Sequence, residues 1–324
     1  VSLRADAAAA SCIDEPRRRS TEGKRRQGRR ALGLLVGVGL MLSGLNAGAA
    51  VFCDRPSDLN AIDQDRQLRL VAEVKRVLQQ AGPAAALVSR SGTDLDRFNI
   101  RYSHAGLALR DSANGAWSVR QLYYACDESR PRLFDQGLTG FLMSAGKIEP
   151  TRLSMVLLPP EPAQRLATLA LDNRRALALL APQYSANAYA FSTRYQNCNQ
   201  WVAELMASAW SGEPPDDRPA AQQRLSALGY EPEAVRIPSH SLMFAAQFVP
   251  LVHLDDHPID DLYALRMRVS TPASLEAFAH RLAPEAERVE LCATADRLVV
   301  RRGWQPLDAS CMPGAMDQII ALRD

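Results

Sequence analysis

Apolar positions between Leu59 and Ala81 recur at intervals near 3.6, with Leu68, Val71, Val74, Val77 and Leu78 on one side, which predicts an amphipathic helix closed by Gly82-Pro83. Ala86 to Arg90 then reads as a short strand, with Ser91-Gly92-Thr93-Asp94 as the turn behind it. Tyr102 to Arg110 and Ala116 to Tyr124 are rich in β-branched and aromatic residues, and the turn chemistry of Asp111 to Gly115 between them predicts a hairpin. Gln136 to Phe141 has no clear period, whereas Leu153 to Leu158 predicts a strand ended by Pro159-Pro160. Pro162 opens a predicted helix that runs to Leu180, and Asn197 to Trp210 predicts another, followed by a polar loop from Ser211 to Arg218. The C-terminal third alternates a strand (Leu262 to Ser270), a helix (Pro272 to Leu282) and a hairpin formed by Arg288 to Cys292 and Arg297 to Arg301. The class expected is α+β, an antiparallel sheet packed on helices, with residues 50–238 as the main domain and 239–324 as a small α+β extension.

One apolar run fits neither period. Ala31 to Phe52 carries no charge, its heart from Leu32 to Leu42 is shorter than the roughly 20 residues that span a bilayer as a helix, and small residues Ala47 to Ala50 follow it. A basic stretch stands directly in front. Residues 1–49 therefore read as a basic leader and secretory signal, cleaved after Ala49 or Ala50 or retained as an anchor, with export to the periplasm or beyond. That segment holds nine of the chain's 38 basic side chains and four of its 36 acidic ones, so the remainder is acidic by three charges although the whole chain is +2. A mildly acidic remainder excludes a nucleic-acid partner on electrostatic grounds, and leaves the signal segment as the only route to a membrane. At 47% hydrophobic residues the whole chain is long and apolar enough for a real core.

Export changes the meaning of the cysteines. Cys12 lies in the leader, which leaves Cys53, Cys126, Cys198, Cys292 and Cys311. In an oxidising compartment an odd number implies one unpaired thiol. Cys198 stands at a predicted helix start in Tyr195-Gln-Asn-Cys-Asn-Gln-Trp-Val-Ala-Glu-Leu-Met206, where backbone N–H groups and the helix dipole favour a thiolate. Val202, Leu205 and Ala209 share its face and would anchor the helix below it. A small buried residue capping a core helix is the plainer reading, but the polar neighbours Asn197, Asn199 and Gln200 suit a cleft better than a dry core. A nucleophilic cysteine needs a base and a group that orients the base. His104, at the head of a strand in Tyr102-Ser-His-Ala-Gly-Leu-Ala-Leu109, and Gln121 on the partner strand are the candidates.

A strand opening His-x-Gly, a following strand with a polar residue and a later Asn-Cys helix start resemble the circularly permuted branch of the papain-like cysteine hydrolases. That branch includes relatives of the NlpC-type cell-wall amidases and the lecithin retinol acyltransferase-like enzymes. Ser103-His104-Ala105-Gly106, Gln121 to Cys126 and Leu133 to Leu138 are also similar to an uncharacterised bacterial family, domain-of-unknown-function family 2145, over roughly residues 55–240. The resemblance implies a permuted papain-like core with Cys198 as nucleophile, His104 as general base and acid, and Gln121 as the residue that orients His104. It also implies an oxyanion donor in the Cys198 N–H, helped by Asn197 or Asn199, with Tyr102 and Ser103 beside the substrate. Where the branch often places His or Glu, Gln121 carries no charge and holds an imidazolium less well. With Cys198 as the functional thiol, Cys53, Cys126, Cys292 and Cys311 remain as two potential disulfides.

The reaction class expected is attack on an amide, ester or thioester through an acyl-enzyme, on a small-molecule, peptide or acyl substrate. The alternative is a non-catalytic periplasmic binding or assembly module with the same fold. No cofactor and no metal is expected: His253 and His257 flank Asp255-Asp256, but Pro258 makes this a solvated acidic loop. Glycine-rich phosphate loops and a Gly-x-Ser-x-Gly turn are missing from the sequence, and nothing in it sets an oligomeric state.

Overall fold

The computed structural model describes residues 59–143, 150–213 and 217–322; residues 1–49, expected to be a basic leader and secretory signal, and Cys53 lie outside them. Asn60 starts the first helix, α1 (Ala61–Ala81), by accepting the Asp63 N–H on its side chain, and Gly82 ends it at φ 64°, a left-handed position that suits glycine. The buried stripe of α1 is Leu70, Val71, Val74, Val77 and Leu78, and Leu68 faces solvent. The stripe therefore follows the expected pattern from Val71 onward and begins at Leu70 in place of Leu68.

Eight strands pair into one antiparallel sheet in the order β10-β9-β8-β5-β1-β2-β3-β4. They are β1 (Ala85–Arg90), β2 (His104–Leu109), β3 (Ser118–Ala125), β4 (Arg130–Gln136), β5 (Thr151–Leu157), β8 (Glu287–Ala293), β9 (Arg297–Arg302) and β10 (Gln318–Ala321). A separate ribbon pairs β6 (Glu233–Arg236) with β7 (Arg266–Val269). β8, β9 and β10, from beyond residue 239, extend the main sheet directly from β5. The chain is thus α+β with one large antiparallel sheet.

Both faces of the sheet are covered, and the strands show it. In β1, Ala85 and Leu87 enter one core while Ala86 and Val88 enter the other, so the strand is apolar throughout. The first core lies under α3 (Pro160–Leu171), α5 (Cys198–Trp210) and α9 (Pro272–Leu282), through Leu166, Trp201, Val202, Leu205 and Phe278. The second lies under α1 and α2 (Leu138–Met143), through Leu70, Val74, Leu78, Phe141 and Leu142. Each fully buried Leu or Phe contributes on the order of 1.5–3 kcal/mol.

Two predicted elements are divided. The helix expected from Pro162 to Leu180 breaks at Asp172, whose side chain accepts the Arg175 N–H and starts α4 (Asn173–Ala178) as a separate helix. The strand expected from Leu262 to Ser270 is β7 alone, preceded by the short helix α8 (Ile259–Tyr263). α6 (Arg218–Ala227) and α7 (His240–Ala246) complete the helices of the described residues.

Candidate active site

His104 opens β2 and is buried. Alternation along β2 sends Ala105, Leu107 and Leu109 into the α5 core and Ala108 into the α2 core, which puts His104 and Gly106 on the α2 face. There the imidazole lies 5.9 Å from the Phe141 ring and 5.3 Å, edge to face, from the Tyr123 ring. Gln121 shares that face: it follows Arg120, the register partner of Leu107, lies against Gly106 and reaches His104, with Oε1 2.5 Å from Nε2. Glycine is required at 106, because a Cβ there would stand 2.7 Å from Val119 Cγ1, 3.0 Å from the Arg120 carbonyl and 3.2 Å from Gln121 Cβ. Gln121 in turn donates from Nε2 to Gln136 Oε1 of β4 at 2.6 Å. With the amide held this way, Oε1 accepts from His104 Nε2–H, and Nδ1 is left as the basic nitrogen of the ring.

Cys198 belongs to the opposite core. It is the free cysteine among the described residues, buried as the first residue of α5, where Asn197 accepts the Gln200 N–H at 2.7 Å as the helix cap. Two residues that pack on opposite faces of a sheet meet only where the sheet opens. The β2–β3 ladder covers Leu107–Leu109 with Ser118–Arg120 and lapses before Gly106, although Gly106 still packs against Val119 and Gln121 and His104 still reaches Gln121. In an unbroken ladder Ala105 would pair with Leu122. Its N–H is among the groups that pull the Cys198 thiol downward.

Both groups are neutral at rest. Burial pushes the Cys198 thiol up to about 11, against the pull of the Asn199 N–H, the Arg90 charge and the N–H groups of Cys198 and Ala105. Burial also pushes His104 down to about 3, assisted by the Arg90 charge and opposed by the Gln121 bond. Among the described residues no hydrogen bond joins Cys198 to His104.

The other candidate residues lie close by with their polar groups occupied. Asn197 Nδ2 donates to the Ala186 and Ser270 carbonyls at 3.3 and 3.2 Å, and Asn199 Nδ2 donates to the Ser270 carbonyl at 3.2 Å. Asn199 Oδ1 is buried with no hydrogen-bond partner among the described residues. Ser103 Oγ accepts the Thr93 N–H at 3.0 Å, and the Tyr102 hydroxyl donates to Glu290 Oε1 at 2.5 Å, in a buried cluster with Arg288 and Glu276. Cys292 and Cys311 are joined by a disulfide, and Cys126 is also disulfide-bonded; Cys53, its candidate partner, lies outside the described residues. The His253 ring stacks on Tyr195 with centroids 4.4 Å apart, and His257 Nε2 bonds the Asn187 carbonyl at 2.7 Å. The loop expected to be solvated instead buries His257 and the Asp256 side chain, and it holds both rings in protein contacts.

Two residues that sequence reasoning missed border the pair. Tyr184, in the loop before α5, faces the Cys198 sulfur; burial and the neighbouring thiol hold its hydroxyl well above its ordinary value. Arg90, the last residue of β1, is the register partner of His104 and lies over the Phe141 ring at 5.3 Å. The loop that carries Tyr184 and Asn197 is fixed from α5 itself. Gln200 Nε2 donates to the carbonyls of Tyr189, Ala190 and Ser192 at 3.2–3.3 Å. Buried Glu204 holds Arg218 at 3.0 Å, and Arg218 donates to the carbonyls of Ser192, Thr193 and Tyr195.

A comparison with protein families matches residues 77–279 to the family described as "Uncharacterized protein conserved in bacteria (DUF2145)". The chain belongs to this family. The DUF2145 match runs from the last turn of α1 into α9, starting later and ending later than the 55–240 the motifs suggest, and takes in His104, Gln121 and Cys198. No curated protein and no solved structure matches the chain.

Proposed function

We propose that this DUF2145 protein is an exported cysteine hydrolase or acyltransferase with a permuted papain-like core. The observation that carries the reading is the 2.5 Å contact of Gln121 Oε1 with His104 Nε2, which assigns the ring proton to Nε2 and leaves Nδ1 as the base. In the acylation step the thiol proton moves to His104 Nδ1, the Sγ–C bond forms and the carbonyl π pair becomes an oxyanion. Collapse of that intermediate expels the amine, alcohol or thiol, which takes the proton back from His104. Water, deprotonated by the same nitrogen, or an acceptor nucleophile then releases the acyl group and restores the thiol. The donors around the sulfur, the N–H groups of Cys198, Ala105 and Asn199, are those best placed to stabilise the oxyanion. Export favours cell-wall peptides as substrates, and the permuted branch favours acyl groups.

The neutral pair at rest, with no hydrogen bond between its members, favours a second reading: a periplasmic binding or assembly module that uses the cleft to hold a peptide or partner. One experiment separates the two. The chain lacking residues 1–49 is incubated with muropeptides and with ester and thioester acyl donors, beside its Cys198→Ala variant, and followed by intact mass and product analysis. A covalent adduct on Cys198 with turnover supports the hydrolase. Absence of adduct and turnover across both substrate classes, with ligand binding retained in Cys198→Ala, refutes it.

A further inference from the structure

We propose that the side-chain oxygen of Asn199 accepts the N–H of the bond to be cleaved, so that the site takes amides in preference to esters and thioesters. This rests on the reading of Cys198 as the reacting thiol, and it narrows the substrate class of that thiol. Asn199 is the second residue of α5 and follows Cys198 directly. Its Nδ2 donates to the Ser270 carbonyl at 3.2 Å and to the Ser103 carbonyl at 3.5 Å. Ser103 is the residue before His104, so the Asn199 amide bridges the helix turn that carries the cysteine and the strand that carries the histidine. Both Nδ2 hydrogens are used on these carbonyls, which fixes the amide: turned over, it would set Oδ1 against two carbonyl oxygens. Oδ1 is left buried with no hydrogen-bond partner among the described residues, on a side chain whose residue is 5% exposed.

A buried acceptor without a donor weakens the fold, and beside a nucleophile it recognises a ligand that brings the donor. An amide carries an N–H on the atom that must leave. An ester or thioester carries oxygen or sulfur there, whose lone pairs would face those of Oδ1. A site built to hydrogen-bond an N–H rejects the analogue that lacks it, because the buried acceptor is then left unpaired. With both Nδ2 hydrogens committed, Asn199 acts through Oδ1, and the oxyanion is left to the backbone N–H groups. Gln200 Oε1 is also unpartnered, but the Gln200 amide is held on the Tyr189, Ala190 and Ser192 carbonyls of the preceding loop. Asn199 moves no proton. Before attack Oδ1 accepts the amide N–H; once the Sγ–C bond has formed, the nitrogen becomes pyramidal, and an N–H held on Oδ1 leaves its new lone pair free for the proton carried by His104. The C–N bond then breaks, and the amine departs with the hydrogen it brought and the one it received.

The test needs only the thiol. Cys198 in the chain lacking residues 1–49 is alkylated with N-methylchloroacetamide and with methyl chloroacetate, a pair that differs only in N–H against O. Each rate is divided by the rate of the same reagent with glutathione, which removes its intrinsic reactivity. The normalised rate is expected to be about tenfold or more higher for the amide reagent, and to differ by less than about threefold between the two reagents in Asn199→Leu, where the acceptor is gone and the volume is kept. Equal normalised rates in the unaltered protein, a preference that survives in Asn199→Leu, or no reaction at Cys198 with either reagent overturns the proposal. Should Asn199→Leu not fold, the N–H of the amide adduct on Cys198, labelled with 15N in the reagent, decides. Exchange with solvent slowed by about tenfold or more against the glutathione adduct supports the proposal, and exchange at the glutathione rate overturns it. Alkylation involves no acyl-enzyme, so failure to form one sinks the hydrolase reading and leaves this ratio standing. An acyl-enzyme formed with a ratio near one sinks the amide preference alone.

Discussion

Acid should destabilise this protein through His104 in a way that can be isolated. The group titrates near 6.5 in the unfolded chain and near 3 in the buried site, so the folded state binds fewer protons than the unfolded state between those values. A depressed folded value means that the stabilisation is present above pH 6.5 and is lost as pH falls toward about 3. One pH unit of difference is worth about 1.36 kcal/mol, which gives about 3 kcal/mol lost from this group between pH 7 and pH 4. That is a large share of a typical 5–15 kcal/mol. Carboxylates with depressed values, such as Glu290 held by Arg288 and Tyr102, act in the same direction. The informative quantity is therefore the difference from His104→Gln, which keeps an N–H for Gln121 Oε1 and removes the titration. Urea unfolding at pH 7 and pH 4 should show the unaltered protein losing about 3 kcal/mol more than His104→Gln. Equal losses in the two proteins would refute a buried, neutral His104 and with it the electrostatic description of the site.

Four further outcomes follow from the same contacts. Gln121→Glu sets a carboxylate on Nε2–H, and Gln136 can turn its amide to donate to it; at about 4 Å and an effective dielectric near 20 the attraction is about 4 kcal/mol, so NMR titration should find His104 raised by roughly 2–3 units. Gly106→Ala forces a Cβ against Val119, the Arg120 carbonyl and Gln121, costs about 1–3 kcal/mol by overpacking and should lower Tm by about 2–10 °C in a calorimeter. Arg218→Met leaves the Glu204 carboxylate buried without its cation; urea unfolding should show about 3–5 kcal/mol lost, with part recovered in the Arg218→Met, Glu204→Gln pair. Non-reducing peptide mapping should return Cys198 as an unpaired thiol and Cys292 bridged to Cys311, and a bridge at Cys198 removes the nucleophile.

What was legible in the sequence is what local physics decides. The β2–β3 hairpin is announced by Asp111 to Gly115, and once that turn is drawn His104 and Gln121 fall on one face of adjacent strands with glycine between them. Asn197 before Cys198 signals a helix start, and the strand pair at β8 and β9 follows from its own alternation. The errors have local causes too. Apolar spacing continues smoothly through Asp172, but its side chain offers the backbone a cap, and the helix ends there. β4 reads Arg-Pro-Arg-Leu-Phe-Asp-Gln, an edge strand whose charges and proline hide it from any alternation test. Arg90 and Tyr184 were invisible for a different reason. A strand-end arginine and a loop tyrosine carry no pattern, and only the pairing of β1 with β2 and the folding of the 184–197 loop onto α5 bring them to the site.

The Cys198 sulfur ties stability to chemistry at one atom. A β2 that runs past its pairing with β3 leaves the Ala105 N–H without a ladder partner, and a buried N–H with none costs about 1–3 kcal/mol. The Ala105 N–H is among the groups that pull the Cys198 thiol toward its anion, so the residue read as nucleophile also lies beside the backbone where the β2–β3 ladder ends. Removal of the sulfur therefore does two things at once. Cys198→Ala removes the acceptor beside the Ala105 N–H together with the nucleophile. Cys198→Ser keeps an acceptor. Loss of function in alanine alone would report the backbone contact, whereas loss in serine with the fold intact would report the chemistry of the thiol. Only the second speaks to catalysis, so serine is the substitution on which the acyl-enzyme reading should be judged.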